Sequence, residues 1–451
     1  MHPSFCPPDA PALPIRLVRT ADWEAQSAGL DPAWRAQAKV ADFKGQTGRL
    51  VVVPDADGAP AGALFGLGDS ADPMQIGTLP GKLPAGDWRL EGADGLDPEQ
   101  LAVAWGLGAY RFGRYKKSEP KAVRLATDAD ASALVEAVWF ARDLVNTPAE
   151  DMGPDALEAV ARDLAAAHGA DVAVVTGDGL VADGYPMVHA VGRAADKAPR
   201  YVELTWGRKD ARKLALVGKG VTFDSGGLDI KPASGMALMK KDMGGAAAVL
   251  ALGKLVMGAE LDVRLSLHLP LVENAISGSA FRPGDVFRTR KGLTVEIDNT
   301  DAEGRLILCD ALTRACELEP ELLVDLATLT GAARVALGPD LAPFYTGDEA
   351  LAADFTAAAA AAGEPVWRMP LWAPYLDDLD SPIADMKNSG GAFAGSITAA
   401  LFLQKFVTAP SWMHLDIYAW NPSEKPGRPK GGEATAVRAL WKLIRNRFGT
   451  A

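Results

Sequence analysis

Cysteine is scarce in this chain. Three thiols, Cys6, Cys309 and Cys316, stand among 451 residues without paired spacing, so neither a disulfide framework nor a thiolate zinc cluster is expected. Histidine is nearly as sparse: His2, His168, His189, His268 and His414 are scattered and no His-Glu-x-x-His occurs, so any metal site must be built mainly from carboxylates. Positive charge is in deficit, with 46 Lys and Arg against 58 Asp and Glu and a net charge of -12, which argues against nucleic acid as the main partner. No apolar run approaches the roughly 20 residues of a membrane span. The opening Met-His-Pro-Ser-Phe-Cys-Pro-Pro lacks the basic and apolar regions of a secretory signal. A cytoplasmic protein without a membrane partner is expected.

What is present is the composition of a folded protein, and the chain is too long for one ordinary core, so two domains are expected. Residues 1–127 alternate short apolar strands with turns (Leu50–Val53, Ala61–Phe65, Ala122–Leu125) and one helix over Pro98–Tyr115, which fits a small α/β domain for assembly or shielding. The polar break at Thr127-Asp-Ala-Asp-Ala131 opens residues 128–451, beginning with a helix over Ser132–Val145 and another over Pro154–His168. Strands are expected at Val172–Val175, Met187–Val191, Tyr201–Leu204, Leu214–Val217, Asp262–Leu271, Leu322–Ala327 and Trp412–Ile417, with helices at Gly244–Met257, after Leu306 and from Ala434. The fold class that follows is α/β: a small N-terminal α/β domain, then a larger one with a mainly parallel sheet flanked by helices. In such sheets sites form beyond the carboxyl ends of strands.

Two stretches carry chemistry. Asp301-Ala-Glu-Gly-Arg305 sets two carboxylates and a guanidinium at alternate positions, which on extended backbone would converge on one small volume and call for a bound cation. The same stretch also reads as a capping box, Thr300 with Glu303, opening a helix. The second stretch, Gly218 to Pro232 and on to Asp242, follows an expected strand. It fails the dinucleotide pattern because Phe223 stands where the third glycine belongs, and it fails the phosphate-loop pattern at Lys219. It does offer Lys219, Asp224, Lys231 and Asp242 in a glycine-dense loop. Singly these read as loop lysines, a turn former and a helix cap; jointly, with the first stretch, they suggest one site.

Val217-Gly-Lys-Gly-Val-Thr-Phe-Asp-Ser-Gly-Gly-Leu-Asp-Ile-Lys-Pro232 and Asn299-Thr-Asp-Ala-Glu-Gly-Arg-Leu306 resemble the signatures of the cytosolic leucyl aminopeptidase family, and Arg142–Pro148, Asp325–Gly331 and Ala394–Leu403 are similar to further segments of it. The resemblance implies two divalent metal ions per subunit, zinc or manganese. Asp224 and Glu303 would contact both ions, Lys219 and Asp242 would complete the tighter site, and Asp301 the looser one. Lys231 would polarise the scissile carbonyl and Arg305 would hold a bicarbonate as general base. Met239, Thr328 and Gly331 would line the pocket for the first residue. A metal-bridging hydroxide would attack peptides with a free N-terminus, leucine and other apolar first residues preferred, and a homo-hexamer would enclose the sites. The chain departs from the family near its end, at Lys430-Gly-Gly-Glu-Ala-Thr-Ala-Val-Arg-Ala-Leu440, which bears on side-chain preference. Two competing expectations are a DNA-binding regulator, a role some bacterial relatives add, and a dimetal hydrolase of another class, such as one acting on phosphoesters.

Overall fold

The computed structural model describes residues 2–69, 72–116 and 121–449. The chain divides into two compact units, Met1–Trp139 with Pro422–Lys430, and Phe140–Asn421 with Gly431–Ala451.

The smaller unit is built on a six-stranded sheet in the order Phe5–Cys6, Val123–Ala126, Gly86–Glu91, Leu13–Arg19, Pro60–Gly68, Leu50–Pro54. Neighbours are parallel except for the last pair. Its central helix, Pro98–Gly108, is capped by Asp97, whose side chain accepts from Glu99 N, and is buried from Leu101 to Gly108 because its sequence is apolar on every side. The helix stops at Gly108, short of the expected Tyr115. There the Arg111 guanidinium turns back to donate to the Gly108 and Tyr110 carbonyls, satisfying acceptors that a further helical turn would have used.

The larger unit carries a nine-stranded sheet. Its strands are β1 (Asp171–Thr176), β2 (Arg200–Trp206), β3 (Arg212–Gly218), β4 (Gly220–Asp224), β5 (Val263–Asn274), β6 (Leu322–Ala327), β7 (Ala342–Tyr345), β8 (Val366–Arg368) and β9 (Trp412–Asp416). The order is β8-β7-β9-β6-β3-β5-β2-β1, with β4 paired to β5. The centre, β9, β6, β3, β5 and β4, is parallel throughout. The antiparallel pairings lie outside it, at β5 with β2, β2 with β1 and β7 with β9. The central strands are near-continuous apolar runs, as burial on both faces requires: every residue of β6 is buried.

Helices α1 (Pro154–His168), α2 (Pro186–Gly192), α3 (Gly244–Gly258), α4 (Gly304–Glu317), α5 (Gly331–Leu337), α6 (Gly395–Gln404) and α7 (Val437–Phe448) flank the sheet. Helix α4 packs Leu308, Ala311 and Leu312 into a core with Ala215, Val217 and Leu323 of the sheet. One expected strand is overturned: Met187–Val191 is helical, within α2. Pro186 presets the first helical turn, and a short run buried at every position but His189 has too little periodicity to tell the two apart. The closing helix begins at Val437 rather than Ala434, since Ala436 sits in the left-handed region at φ 67.

Candidate metal centre

Five parallel strands deliver one polar residue each to the same edge of the sheet. Lys219 follows β3, Asp224 ends β4, Asn274 ends β5, Thr328 follows β6 and Asp416 ends β9. After β4 the chain reverses through Gly226 and Gly227 at φ +89 and +66, a conformation side-chain-bearing residues resist. The Gly226 N–H donates to Asp224 Oδ1 at 2.9 Å, and Asn274 Nδ2 donates to the same oxygen at 2.9 Å.

The Asp301 stretch is a turn leading into α4, not a strand, so the alternation argument is not how it works. No capping box forms either: Glu303 is the N-cap residue with no side-chain cap bond. Thr300 instead accepts from the Asp229 N–H at 2.8 Å and donates to the Gly226 carbonyl at 2.7 Å, tying the turn to the β4 loop. Asp242 is likewise no helix cap. Met243 precedes α3, and Asp242 Oδ1 accepts from the Thr328 hydroxyl at 2.7 Å.

The result is a buried acidic cluster. Asp224, Asp242 and Glu303 are each no more than 2% exposed, and one oxygen from each lies within 4.8 Å of the others. Two lysines supply counter-charge. Lys219 Nζ lies 2.7 Å from Asp242 Oδ2 and 2.8 Å from Glu303 Oε1, and donates to the Thr328 carbonyl at 3.0 Å. Lys231 Nζ lies 2.8 Å from Asp224 Oδ2 and pairs with Asp301. Gly304 makes the room for Lys219, since a Cβ there would come within 2.5 Å of its Cε.

The electrostatics are those of a site short of positive charge. Burial, and then Asp224, push the Glu303 carboxyl up to about 8. The same two causes push Asp301 up to about 6. Burial works against ionising Asp242, but Lys219 and Lys241 outweigh it and hold its carboxyl below the ordinary value. Burial also opposes the charge on Lys219, yet Asp242, Glu303 and Asp224 together keep the ammonium above its usual range.

The donor set fits divalent cations by a direct criterion. Asp242 Oδ2 and Glu303 Oε1 are buried and meet only the Lys219 ammonium, at 2.7 and 2.8 Å, which leaves each oxygen with lone-pair capacity for a cation. Oxygen-rich, carboxylate-dominated cradles are what hard dications take, and a dication offsets buried carboxylates that would otherwise be costly. Bound there, it would replace the proton on Lys219 and leave the neutral amine as a ligand.

Arg305 lies in the first turn of α4, 6% exposed, donating from Nη1 to the Asn388 carbonyl at 2.8 Å. Its Nε is buried without a partner. Burial brings the guanidinium down to about 10, against the pull of Asp416 and Glu303. Of the three pocket candidates, Met239 and Thr328 are buried while Gly331, at the start of α5, is open.

Several supporting residues carry no sequence signature. Asn388 accepts from the Asp298 and Asn299 N–H groups and donates to the Asn299 and Ala302 carbonyls, so one buried amide fixes the whole turn before Glu303. Asn274 bridges Asp224 to the Thr300 carbonyl. The one clue to Asn274 is its place where an apolar strand ends; for Asn388, nearly ninety residues beyond the turn it holds, there is none.

A model of the cytosol aminopeptidase family's catalytic domain matches residues 139–441, and one of the M17 aminopeptidase N-terminal domain matches residues 13–128. A probable cytosol aminopeptidase from Synechococcus sp. is 43% identical over 370 residues, 77% of this chain and 76% of the relative. Among solved structures, the cytosol aminopeptidase of Coxiella burnetii superposes with a TM-score of 0.93 at 41% identity, covering 98% of each chain. The bottromycin maturation enzyme BotP, solved in complex with Mn, superposes at 0.87 with 38% identity over 97% of this chain and 100% of its own. This chain therefore belongs to the cytosol aminopeptidase family, metallo-exopeptidases that hydrolyse peptides from the N-terminal end.

Proposed function

We propose that this enzyme removes unblocked first residues, leucine and other apolar ones by preference, from peptides at a two-cation centre held by Lys219, Asp224, Asp242, Asp301 and Glu303. The observation that carries the reading is the buried Asp224–Asp242–Glu303 cluster with Lys219 at its centre. Two divalent cations, zinc or manganese, supply Lewis acidity and an activated water as nucleophile when bound.

The chain's own residues do the rest. Lys231, 14% exposed at the mouth of the cluster, is the cation positioned to donate to the carbonyl oxygen as negative charge builds on it. The unpartnered Arg305 Nε–H is a donor for a small oxyanion, and bicarbonate held there would serve as the general base. Met239, with its adaptable thioether, and Gly331, which leaves space, suit an apolar first side chain, and Thr328 holds Asp242 beside them.

The exposed Trp367, Trp372 and Phe393, at 57%, 56% and 87%, support burial in an assembly, which we propose is a homo-hexamer. The catalytic region is assigned to residues 128–451, and residues 1–127 to assembly or shielding. No helix among the described residues is long and apolar enough to cross a membrane; the location we propose is cytoplasmic.

The test is to strip the purified protein of metal, restore zinc or manganese, and compare leucyl amide with N-acetyl-leucyl amide. Hydrolysis of the free-amine substrate alone, abolished by chelator, is the expected outcome. Equal cleavage of both substrates, or indifference to chelator, would overturn the reading.

A further inference from the structure

We propose that Asp416 is a positioning residue for the metal centre, acting through a single peptide plane on Lys219 and through the adjoining hydroxyl on Asp242. The inference rests on the metal-dependent reading above.

Asp416 ends β9 and is 2% exposed. Its carboxylate collects four donors. Oδ1 accepts from the Leu329 and Thr330 N–H groups at 3.1 Å each, and Oδ2 accepts from the Thr330 hydroxyl at 2.5 Å and the Ser396 hydroxyl at 3.0 Å. A buried carboxylate with this many donors is held in one orientation and holds its donors in turn.

The consequence runs through peptide geometry. The Leu329 N–H and the Thr328 carbonyl belong to one planar trans peptide and point in opposite directions. Gripping the N–H from the β9 side therefore aims the carbonyl away from β9, at Lys219 Nζ, which donates to it at 3.0 Å. A neutral lysine ligand has one lone pair, and fixing one of its N–H bonds limits that pair to the two remaining tetrahedral directions. The same residue, Thr328, donates its hydroxyl to Asp242 Oδ1 at 2.7 Å and to the Asp242 carbonyl at 3.1 Å. One loop residue thus orients the two ligands expected to complete the tighter site, and Asp416 is the group that immobilises it. Asp416 touches neither cluster residue itself.

The bland alternative is that Asp416 only steadies the start of α5, where Thr330 caps the helix by accepting from Ala333 N. The two roles separate by readout. Asp416→Ala, Asp416→Asn and Thr330→Val are to be compared with wild type by calorimetric titration of the metal-free protein with Mn2+, by kcat and KM on leucyl amide at saturating metal, and by metal-free Tm.

Asp416→Ala is expected to weaken the tighter binding step by about 10- to 100-fold and to lower kcat, with KM within roughly threefold of wild type. Asp416→Asn, which keeps an acceptor for the Leu329 N–H, is expected to rescue most of that affinity. Thr330→Val, which leaves the Leu329 contact in place, should show a smaller loss of the same sign and decides the matter if Asp416→Ala does not fold. A fall in Tm with unchanged Mn2+ affinity and kcat in Asp416→Ala, or in Thr330→Val if that variant must decide, would overturn the inference. A wild-type protein with no metal-dependent hydrolysis would overturn the functional reading instead, whatever the variants do.

Discussion

The acidic cluster has a deep half and a rim half, built by different means. In the deep half Lys219, Asp242 and Glu303 have side chains 1–3% exposed; Lys219 follows a strand, Glu303 opens a helix, and Asp242, two residues before α3, is held by the Thr328 hydroxyl. In the rim half the Asp301 side chain is 34% exposed and Lys231 14%, on the connecting turns. Ligands on rigid, dry elements hold a cation with little reorganisation, whereas ligands on solvated turns hold it more loosely and release it sooner. On the proposed two-cation reading, this contrast would make one position tight and the other exchangeable.

The largest expected effect comes from breaking the deep half. Glu303→Ala should lose metal and activity together, with kcat/KM down by on the order of a thousandfold, measured alongside metal content. Next is the rim cation: Lys231→Ala should keep metal but lose about a hundredfold in kcat, because a donor to the developing oxyanion is gone. Near-normal rates in both variants would dissolve the distinction between the halves. Gly304→Ala tests the close packing that seats Lys219. Its Cβ would meet Lys219 Cε at 2.5 Å, and a fall of about ten- to a hundredfold in metal affinity is expected. Asp301→Asn should have a milder effect, weakening only the second binding step by about tenfold, read from the second phase of a metal titration.

The smallest effect is on stability. In the metal-free protein burial and Asp224 hold the Glu303 proton more tightly than in the unfolded chain, with the carboxyl pushed up to about 8. That stabilisation is present in full below the ordinary glutamate range and is lost progressively from there up to about 8, so the metal-free Tm should fall between about pH 5 and pH 8 and level off above it. Added metal should remove the fall, because protons and cations compete for the same oxygens. A metal-free Tm that rises over this interval would contradict the assignment of Glu303.

How much of this was legible in the chain depends on how local the signal is. The apolar runs of β3 and β6 and the long helices α1 and α3 announce themselves, because burial and periodicity are written in consecutive residues. Met187–Val191 does not: five residues of which all but His189 are buried fit strand and helix equally, and only Pro186 and the surrounding packing decide. The site divides the same way. Asp224, Asp242, Asp301, Glu303 and Lys219 stand in two compact stretches, which the structure brings to one edge of the sheet. The supports come from elsewhere in the chain. Asn388 holds a turn some ninety residues before it, and no local pattern marks an asparagine whose four side-chain hydrogen bonds are all tertiary. Thr300 was legible as a polar residue before a helix, but its partner is the β4 loop and not the helix, which only the meeting of two distant segments reveals.

The most direct test of the two-halves account is a calorimetric titration of the metal-free protein with Mn2+, with leucyl amide hydrolysis followed on the same samples. The account predicts two equivalents per chain in two resolved steps of unequal affinity, with full activity only after the second. A single equivalent, two indistinguishable steps, or full activity before any cation is added would contradict it.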